Sequence, residues 1–173
     1  MTVYSFAPIA TPRARVLILG SMPGERSLAQ QEYYAHPHNS FWPIMGAIFD
    51  APVTTYAQKT ALIRNHDIAL WDVLKACTRA GSLDQAIDRT SIVANDFAQF
   101  LAQHAHIAHI LFNGSAAHDI FMRHVSKKLP PELQARLTLH KLPSTSPAMA
   151  SLNRAKKTHV WRAALAQART SAS

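Results

Sequence analysis

The chain of 173 residues is poor in cysteine, glycine and acidic side chains, and these shortages limit its chemistry. Its single cysteine, Cys77, cannot form an intrachain disulfide or build a cysteine cage for zinc or an iron–sulfur cluster. No apolar run approaches the roughly 20 residues that cross a bilayer, and no basic segment followed by a long apolar one opens the chain. We therefore expect a cytoplasmic protein without a membrane segment.

Ten histidines raise the question of a metal site. None of them pairs as His-x-x-x-His with a carboxylate between, and the closest cluster, His104, His106 and His109, lies at a predicted helix-to-strand junction. We interpret these residues as surface or hydrogen-bonded histidines. The sequence therefore predicts no metal site, and we expect no cofactor.

Basic side chains outnumber acidic ones by 18 to 10, which gives a formal net charge of +8. Such an excess indicates a polyanionic partner, although basic proteins without one are common. Several cations of the last third lie close in sequence to a loop rich in proline and serine at 143–147. They are Lys141, Arg154, Lys156 and Lys157.

Apolar runs and turn residues alternate regularly along the chain. Short apolar runs that end in turn formers predict four strands, at 15–20, 68–74, 106–112 and 137–142. Segments with helical periodicity predict helices, at 41–49, 55–65, 96–103, 115–125 and 153–168. A short helix is expected from Pro130, and a loop with one helical turn at 25–37.

This alternation predicts an α/β fold with a mainly parallel four-stranded sheet between helical layers. The length fits one domain over residues 1–173, with loose ends at about 1–12 and 169–173. Ser40 is expected to cap the helix at 41–49. The last helix is expected to turn four side chains inward: Val160, Trp161, Ala164 and Leu165.

Polar stretches follow three of the predicted strands: residues 21–39, Asn113 and residues 144–146. Because the carboxyl ends of parallel strands share one edge of a sheet, we expect them to line one crevice. Glu25 and Glu32 are the only carboxylates among them, which argues against a two-carboxylate glycosidase. Neutral amides suit a reaction in which a positioned water attacks a cation-like transition state.

Four motifs carry a resemblance to a known family: Gly20 to Gly24 (GSMPG), Tyr34 to Trp42 (YAHPHNSFW), Phe112 to Gly114 (FNG) and Leu142 to Pro147 (LPSTSP). In this order they resemble the uracil-DNA glycosylase superfamily, nearest to its hypoxanthine-DNA glycosylases and next to the mismatch-specific uracil enzymes. The resemblance spans about 16–161 and implies the three-layer α/β/α fold of that superfamily.

The resemblance also implies an activity. We expect a monomeric, monofunctional DNA glycosylase of base excision repair that flips a deaminated base out of DNA and hydrolyses its N-glycosidic bond, leaving an abasic site. Hypoxanthine is the expected substrate and uracil the second. The alternatives are an enzyme chiefly for uracil in G·U mismatches, a hydrolase of free nucleosides, and a module that binds damaged DNA without turnover.

The same resemblance assigns roles to three residues near the base. Asn39 would position the attacking water, although from the residues alone a helix-capping asparagine is the commoner interpretation. Asn113 would hydrogen-bond the flipped base; the alternative is a turn asparagine before glycine. Tyr34 would stack on the base, and Tyr33 is the competing tyrosine.

Two further groups of residues complete the predicted site. Backbone N–H groups around Ser21 and Met22 would line the base pocket. Ser144, Thr145 and Ser146 would contact DNA phosphates, unless this loop is only an exposed connection. The counter-charges would come from Lys141, Arg154, Lys156 and Lys157.

Three positions depart from the pattern of the family. Met22 stands where several relatives carry a water-activating Asp or Asn, and Leu142 where they carry His or Asn. Both favour the hypoxanthine branch. Ser146 replaces an apolar wedge, for which Met149 is a substitute.

No lysine falls within a matched motif near the sugar, so we predict no Schiff-base lyase step, with Lys141 the nearest candidate.

Overall fold

The buried run Val16–Gly20 is the second strand in the computed structural model, which describes residues 1–170. It pairs in parallel with a strand on each side, and a fourth strand completes the sheet. The strands of this sheet are β2 (Val16–Gly20), β3 (Ile68–Asp72), β6 (His109–Asn113) and β7 (Thr138–Leu142). Their order across the sheet is β3-β2-β6-β7.

Helices cover both faces of this sheet. In chain order they are α1 (Glu25–Gln30), α2 (Phe41–Phe49), α3 (Tyr56–Asn65), α4 (Phe97–Gln103), α5 (Ser115–His124), α6 (Pro131–Arg136) and α7 (Arg154–Thr170).

Alternate side chains of β2 enter two apolar cores, one on each face of the sheet. Leu17 and Leu19 belong to the core that contains residues of α4 and α5, such as Phe97 and Phe121. Val16 and Ile18 belong to the core built with α2, α3 and α7. A strand buried on both faces is apolar at every position, as this one is. The predicted three-layer α/β fold with a parallel four-stranded sheet is confirmed.

A second, antiparallel sheet was not predicted. Its strands are β1 (Thr2–Tyr4), β4 (Leu74–Arg79) and β5 (Ile87–Ala94), in the order β1-β4-β5. The predicted strand at 68–74 is therefore two strands, since β3 ends at Asp72 and β4 starts at Leu74. The expected loose start contains β1, which pairs Thr2 with Thr78. β5 buries only Ile87 and exposes half of its eight residues, so it lacks the apolar run that predicts a strand.

One of the four side chains predicted to face inward on the last helix does not do so. Val160 is exposed, whereas Trp161, Ala164 and Leu165 are buried, together with Ala168. Of the predicted loose end at 169–173, the first two residues belong to α7, and 171–173 lie outside the described residues. Within 1–170, no helix combines the length and apolarity needed to span a bilayer.

The four parallel strands end at one edge of the sheet, called here the carboxyl edge. Their last residues are Gly20, Asp72, Asn113 and Leu142, and the register places Gly20 beside Asp72 and Asn113 beside Leu142. Segments that follow these strands are thus brought together, as the sequence predicted for the loops after 20, 112 and 142.

Candidate functional site

A cavity of about 470 Å³ opens at the carboxyl edge. Its volume is in the range of small-molecule sites. The lining comes from five parts of the chain: residues 23–27; Tyr33, Tyr34, His36 and Asn39; Asp72; residues 82–83; and residues 146–148. Of the predicted site residues, Tyr34, Asn39 and Ser146 line this cavity.

The amide of Asn39 has a fixed orientation. Its Oδ1 accepts a hydrogen bond of 2.9 Å from the backbone N–H of Phe41, the first residue of α2. Ser40 occupies the capping position but its side chain makes no capping bond, so the predicted cap by Ser40 is wrong. Since Oδ1 must face the Phe41 N–H, the Asn39 NH₂ group is left for other partners. Capping and catalysis are therefore compatible for this side chain.

Tyr34 lies against α2 in a strained backbone conformation. Its φ of 54° is left-handed, which is uncommon for a bulky residue and clusters at functional sites. Its ring stacks on Phe41 with the centroids 4.2 Å apart. Its hydroxyl is buried without a hydrogen-bond partner. Burial raises the pKa of this hydroxyl, as does Asp72, and the nearby Asn113 amide offsets only part of the rise.

Tyr33 is held by the surrounding structure. Its hydroxyl donates to the Ala7 carbonyl at 2.9 Å, and its carbonyl accepts from Trp42 Nε1 at 2.8 Å. Phe6 packs edge-on against its ring. Of the two competing tyrosines, Tyr34 is therefore the one whose polar group is unpaired.

Gly20 allows two polar side chains to approach its backbone. A Cβ at this position would lie 2.6 Å from Asp72 Oδ1 and 3.0 Å from the Tyr34 hydroxyl oxygen. Both distances are too short for any larger residue without movement of these groups. The glycine at the end of β2 thus brings a carboxyl and a phenol close together beside the cavity.

Asp72 is a site residue that sequence reasoning missed. It is only 3% exposed, it lines the cavity, and its Oδ2 has no hydrogen-bond partner. Burial, reinforced by Asp84 and opposed by Arg79, raises the pKa of its carboxyl from 3.8 to about 7. The sequence conceals it because it lies inside an apolar run that predicts one strand through Leu74. A lone acidic residue within such a run was the available signal.

Arg79 joins two loops beside the cavity. Its Nη2 donates to the Pro23 carbonyl at 2.7 Å and its Nε donates to the Gly81 carbonyl at 2.8 Å. Ser82 Oγ in turn accepts from the backbone N–H of Glu25 at 2.9 Å. These bonds hold residues 81–83 against the turn after β2. Leu83 is exposed to 50% where this segment lines the cavity.

Ser21 and Met22 lie outside the cavity lining. Ser21 Oγ donates to Asp84 Oδ1 at 2.5 Å, and Met22 is buried in the apolar core that contains Trp71. The backbone carbonyl of Ser21 accepts from the Leu74 N–H. From this turn, Pro23 and Gly24 line the cavity, and the expectation that N–H groups around Ser21 and Met22 line the base pocket stays a prediction.

Asn113 is hydrogen-bonded to Thr145 through both ends of its amide. Asn113 Nδ2 donates to Thr145 Oγ1, and Asn113 Oδ1 accepts from the Thr145 N–H, both at 2.9 Å. The backbone carbonyl of Thr145 also accepts a hydrogen bond from the Ser40 N–H at 3.0 Å. These bonds connect the end of β6, the loop after β7 and the residue next to Asn39. Asn113 does not line the cavity.

Side chains of α7 hold the loop at 143–149 through hydrogen bonds. Lys157 Nζ donates to the Met149 carbonyl at 2.6 Å, and Trp161 Nε1 donates to the Pro143 carbonyl at 3.0 Å. Thr145 is buried, and Ser144 Oγ accepts from the Ser146 N–H at 3.1 Å. Gly114 makes room for the loop, because a Cβ there would lie 3.0 Å from that of Ser144.

Two predicted phosphate contacts are corrected by this geometry. Thr145 is 1% exposed and Lys157 is 4% exposed, so neither side chain reaches a phosphate on the surface. Burial lowers the pKa of the Lys157 amine. Three predicted cations remain exposed: Lys141, which pairs with Asp119 at 3.8 Å; Arg154, whose Nε donates to Ser40 Oγ at 3.4 Å; and Lys156.

Comparison with known proteins connects this site to a family. The model of the Uracil DNA glycosylase superfamily matches residues 7–167. A protein of Methanosarcina barkeri named hypoxanthine DNA glycosylase is 34% identical over 116 residues, which is 66% of this chain and 72% of that protein. One of the same name from Methanosarcina acetivorans is 34% identical over 114 residues, or 65% of this chain and 71% of that protein.

A solved structure supports the same relationship. The solution NMR structure of a candidate uracil DNA glycosylase from Methanosarcina acetivorans has a TM-score of 0.73 and 31% sequence identity. The match covers 94% of this chain and 98% of that one.

Proposed function

The chain belongs to the uracil DNA glycosylase superfamily, and we propose that this DNA glycosylase removes hypoxanthine from DNA by hydrolysis, leaving an abasic site. The observation that carries the proposal is the cavity at the carboxyl edge, where an oriented asparagine, a stacked tyrosine and a buried carboxyl meet. The names of the two Methanosarcina relatives support hypoxanthine as the base.

Asn39 is proposed to position the attacking water. Its Oδ1 is anchored on the Phe41 N–H, so its NH₂ group can donate to a water oxygen while the second lone pair of Oδ1 accepts from the same water. An oxygen nucleophile held in line with the sugar C1′ needs little activation when the transition state already resembles a sugar cation. No lysine is among the described residues that line the cavity, which supports water as the nucleophile.

Tyr34 is proposed to stack on the flipped base. Its ring stacks on that of Phe41 with the centroids 4.2 Å apart, and its backbone has the left-handed φ of 54°. Because the ring is already packed, little side-chain freedom is lost when a base binds. Stacking of a base on an aromatic ring is worth about 1–3 kcal/mol. This would offset part of the cost of taking the base out of the duplex.

The DNA backbone is proposed to cross the loop after β7 and the start of α7. Lys141, Arg154 and Lys156 are exposed there and supply positive charge. Ser144 and Ser146 are small and partly exposed, so phosphates can approach the main chain around them. The structural role of Asn113 is proposed to be indirect, because Thr145 transmits its position to Ser40 beside Asn39.

Uracil is the second candidate base. It presents an N–H beside a carbonyl, as hypoxanthine does, so one set of hydrogen-bonding groups fits both. Uracil has only one ring and fills less of the cavity, which favours hypoxanthine as the better substrate.

The test is base release from duplexes that carry a single hypoxanthine or a single uracil, measured as abasic sites cleaved by alkali. We expect faster release of hypoxanthine and its loss in Asn39→Ala. Release of uracil alone would move the protein to the uracil branch. DNA binding without release of either base would make it a damage-binding module.

A further inference from the structure

Asp72 is the buried titratable group at the site that the hydrolytic step above does not use. The cavity is lined in part by this residue, its Oδ2 has no hydrogen-bond partner, and its Oδ1 packs against the backbone of Gly20. A buried polar group without a partner costs stability, so its presence calls for an explanation such as a ligand. The carboxyl lies on the β2–β3 side of the carboxyl edge, next to the Tyr34 hydroxyl.

Deamination changes the base edge in the same two ways in each case: a ring nitrogen gains a hydrogen, and the exocyclic group beside it changes from donor to acceptor. It replaces an exocyclic amino group, which donates hydrogen bonds, with a carbonyl oxygen, which only accepts them. Adenine becomes hypoxanthine and cytosine becomes uracil by this exchange. A hydrogen-bond donor held at that position therefore favours the deaminated base over its parent.

Resting on the glycosylase function proposed above, we infer that Asp72, as a neutral carboxylic acid, donates a hydrogen bond to the carbonyl oxygen that deamination creates on the flipped base. The proton stays on Asp72, and no bond to it breaks during the reaction. As the glycosidic bond opens, negative charge spreads over the departing base, so this hydrogen bond strengthens in the transition state.

The surroundings of Asp72 favour its neutral form. Arg79 opposes this with positive charge, but its Nη2 and Nε donate to the carbonyls of Pro23 and Gly81, its Nη1 has no hydrogen-bond partner, and no ion pair joins it to Asp72 among residues 1–170. The negative charge of Asp84 acts in the opposite direction to that of Arg79. Together with burial, this raises the pKa of Asp72 to about 7. The remaining ionisable groups around the cavity are Tyr33, Tyr34, Glu25, Arg26 and His36.

An ionised Asp72 would oppose the reaction. Its carboxylate has no proton to donate, and it would repel both the carbonyl oxygen and the negative charge that grows on the base. Activity is therefore expected to fall as pH rises through about 7. The substitution Asp72→Asn supplies an N–H donor that stays neutral at every pH, and it separates the donor role from the other roles of a carboxyl.

The experiment measures single-turnover release of hypoxanthine between about pH 5.5 and 9 by the parent, Asp72→Asn, Asp72→Ala and the matched control Asp50→Asn. Asp50 is exposed and outside the cavity, so its variant should follow the parent. We expect Asp72→Asn to keep the rate at about pH 6 within roughly tenfold and to lose the alkaline decline. We expect Asp72→Ala to lose roughly 10²-fold, as for removal of one transition-state donor.

Three outcomes would overturn the inference. Loss of activity in Asp72→Asn with an unchanged fold would assign a proton-transfer role. If the rate of the parent rises with pH and Asp72→Asn shows no such rise, the active form of Asp72 is the ionised one. Full activity in Asp72→Ala, together with a roughly 10²-fold slower rate in Tyr34→Phe, would assign the donor role to the Tyr34 hydroxyl.

A measurement independent of catalysis separates this inference from the proposed function. The chemical shift of the Asp72 carboxyl carbon is followed by NMR as the pH of the parent protein is changed. The signal is assigned by its absence from the spectrum of Asp72→Asn. We expect a midpoint near pH 7. A midpoint below about 5 with hypoxanthine release intact would overturn the inference alone. No base release by the parent would overturn the proposed function, and the inference with it, whatever the midpoint.

Stability gives a further readout that does not depend on substrate. The folded-state pKa of Asp72 lies above its ordinary value of 3.8, so its contribution to stability is present below about pH 4 and is lost as pH rises towards 7. Asp72→Asn removes this loss. We therefore expect its melting temperature to exceed that of the parent at pH 8 and to approach it at pH 5. An equal difference at both pH values would contradict a raised pKa.

Discussion

The two sides of the carboxyl edge differ in how their polar groups are satisfied. On the β6–β7 side, Asn113, Thr145 and Lys157 are hydrogen-bonded within the protein. On the β2–β3 side, the Tyr34 hydroxyl and Asp72 Oδ2 are buried with no partner. Both sides carry polar residues next to strand ends, and both were candidates for contact with a nucleotide.

The difference separates scaffold from binding site. A buried polar group that already has its partners rigidifies the structure and has less to offer a ligand. A buried polar group without partners costs free energy unless something binds it. By this criterion we propose that the β6–β7 side positions the loop and the start of α2, and that the β2–β3 side is where the base would bind. Asn39 lies between them, anchored by one oxygen lone pair and open at its NH₂ group.

The largest expected effect is at Asn39. Asn39→Ala should lower the rate of hypoxanthine release by about 10²–10³-fold, because the attacking water loses its position. It should also lower the free energy of unfolding by about 1 kcal/mol, since the bond to the Phe41 N–H is lost. Single-turnover kinetics and urea denaturation measure the two effects.

Asn39→Ser separates these two roles. A serine hydroxyl can accept from the N–H two residues ahead, so most of the stability should return while the rate stays low. Recovery of the rate together with the stability would show that Asn39 only caps α2.

Gly20→Ala should give the next largest effect. The added Cβ would meet Asp72 Oδ1 at 2.6 Å and the Tyr34 hydroxyl at 3.0 Å, so both groups must shift. We expect about 1–3 kcal/mol less stability and at least a tenfold slower release of base. Gly24→Ala is the control for stability alone, because Gly24 lines the cavity but its Cβ would meet only the side chain of Ser82, at 3.3 Å and beyond. Equal rates for the parent and Gly20→Ala would remove these two groups from the site.

The scaffold role of Asn113 is tested by a double-mutant cycle with Thr145. Asn113→Ala and Thr145→Val should each cost about 1–3 kcal/mol of stability and about tenfold in rate, and the double variant should be little worse than either. A more than hundredfold loss in Asn113→Ala beside a small loss in Thr145→Val would make Asn113 a reader of the base, as the resemblance implied.

The neighbouring lysines of α7 provide the smallest contrast. Lys156→Met should leave stability unchanged and lower the salt dependence of DNA binding by about one phosphate contact. Lys157→Met should instead lower stability by about 1–3 kcal/mol, because the Met149 carbonyl loses its donor. DNA affinity at several salt concentrations and thermal unfolding distinguish the two. Identical salt slopes for parent and Lys156→Met would place the DNA elsewhere.

The fold was largely predictable because its central strands are buried on both faces. Continuous apolar runs ended by turn residues identify such strands, and helices with one apolar face cover them. The antiparallel sheet escaped prediction because β5 buries only one of its eight residues and β4 follows β3 after one residue. Hydrophobicity alone does not separate them, because β4 begins inside the apolar run that contains β3.

The site was predictable in position but less so in the role of each residue. The motifs identified the family, which the match over 7–167 confirms, and they named Tyr34 and Asn39, which line the cavity. Sequence spacing cannot tell whether a polar side chain near the edge is already bonded, so Thr145 and Lys157 were expected at the surface. Asp72 was missed for the complementary reason, since its apolar neighbours concealed its position at the end of β3.

The most direct measurement is a crystal structure of the parent protein with a duplex that contains one 2′-fluoro-2′-deoxyinosine, an analogue whose glycosidic bond resists hydrolysis. The account predicts the hypoxanthine ring inside the cavity against the Tyr34 ring, with its carbonyl oxygen towards Asp72 and the Asn39 amide facing the sugar. A base bonded to the amide of Asn113, with Asp72 and Tyr34 away from it, would contradict the assignment of the two sides.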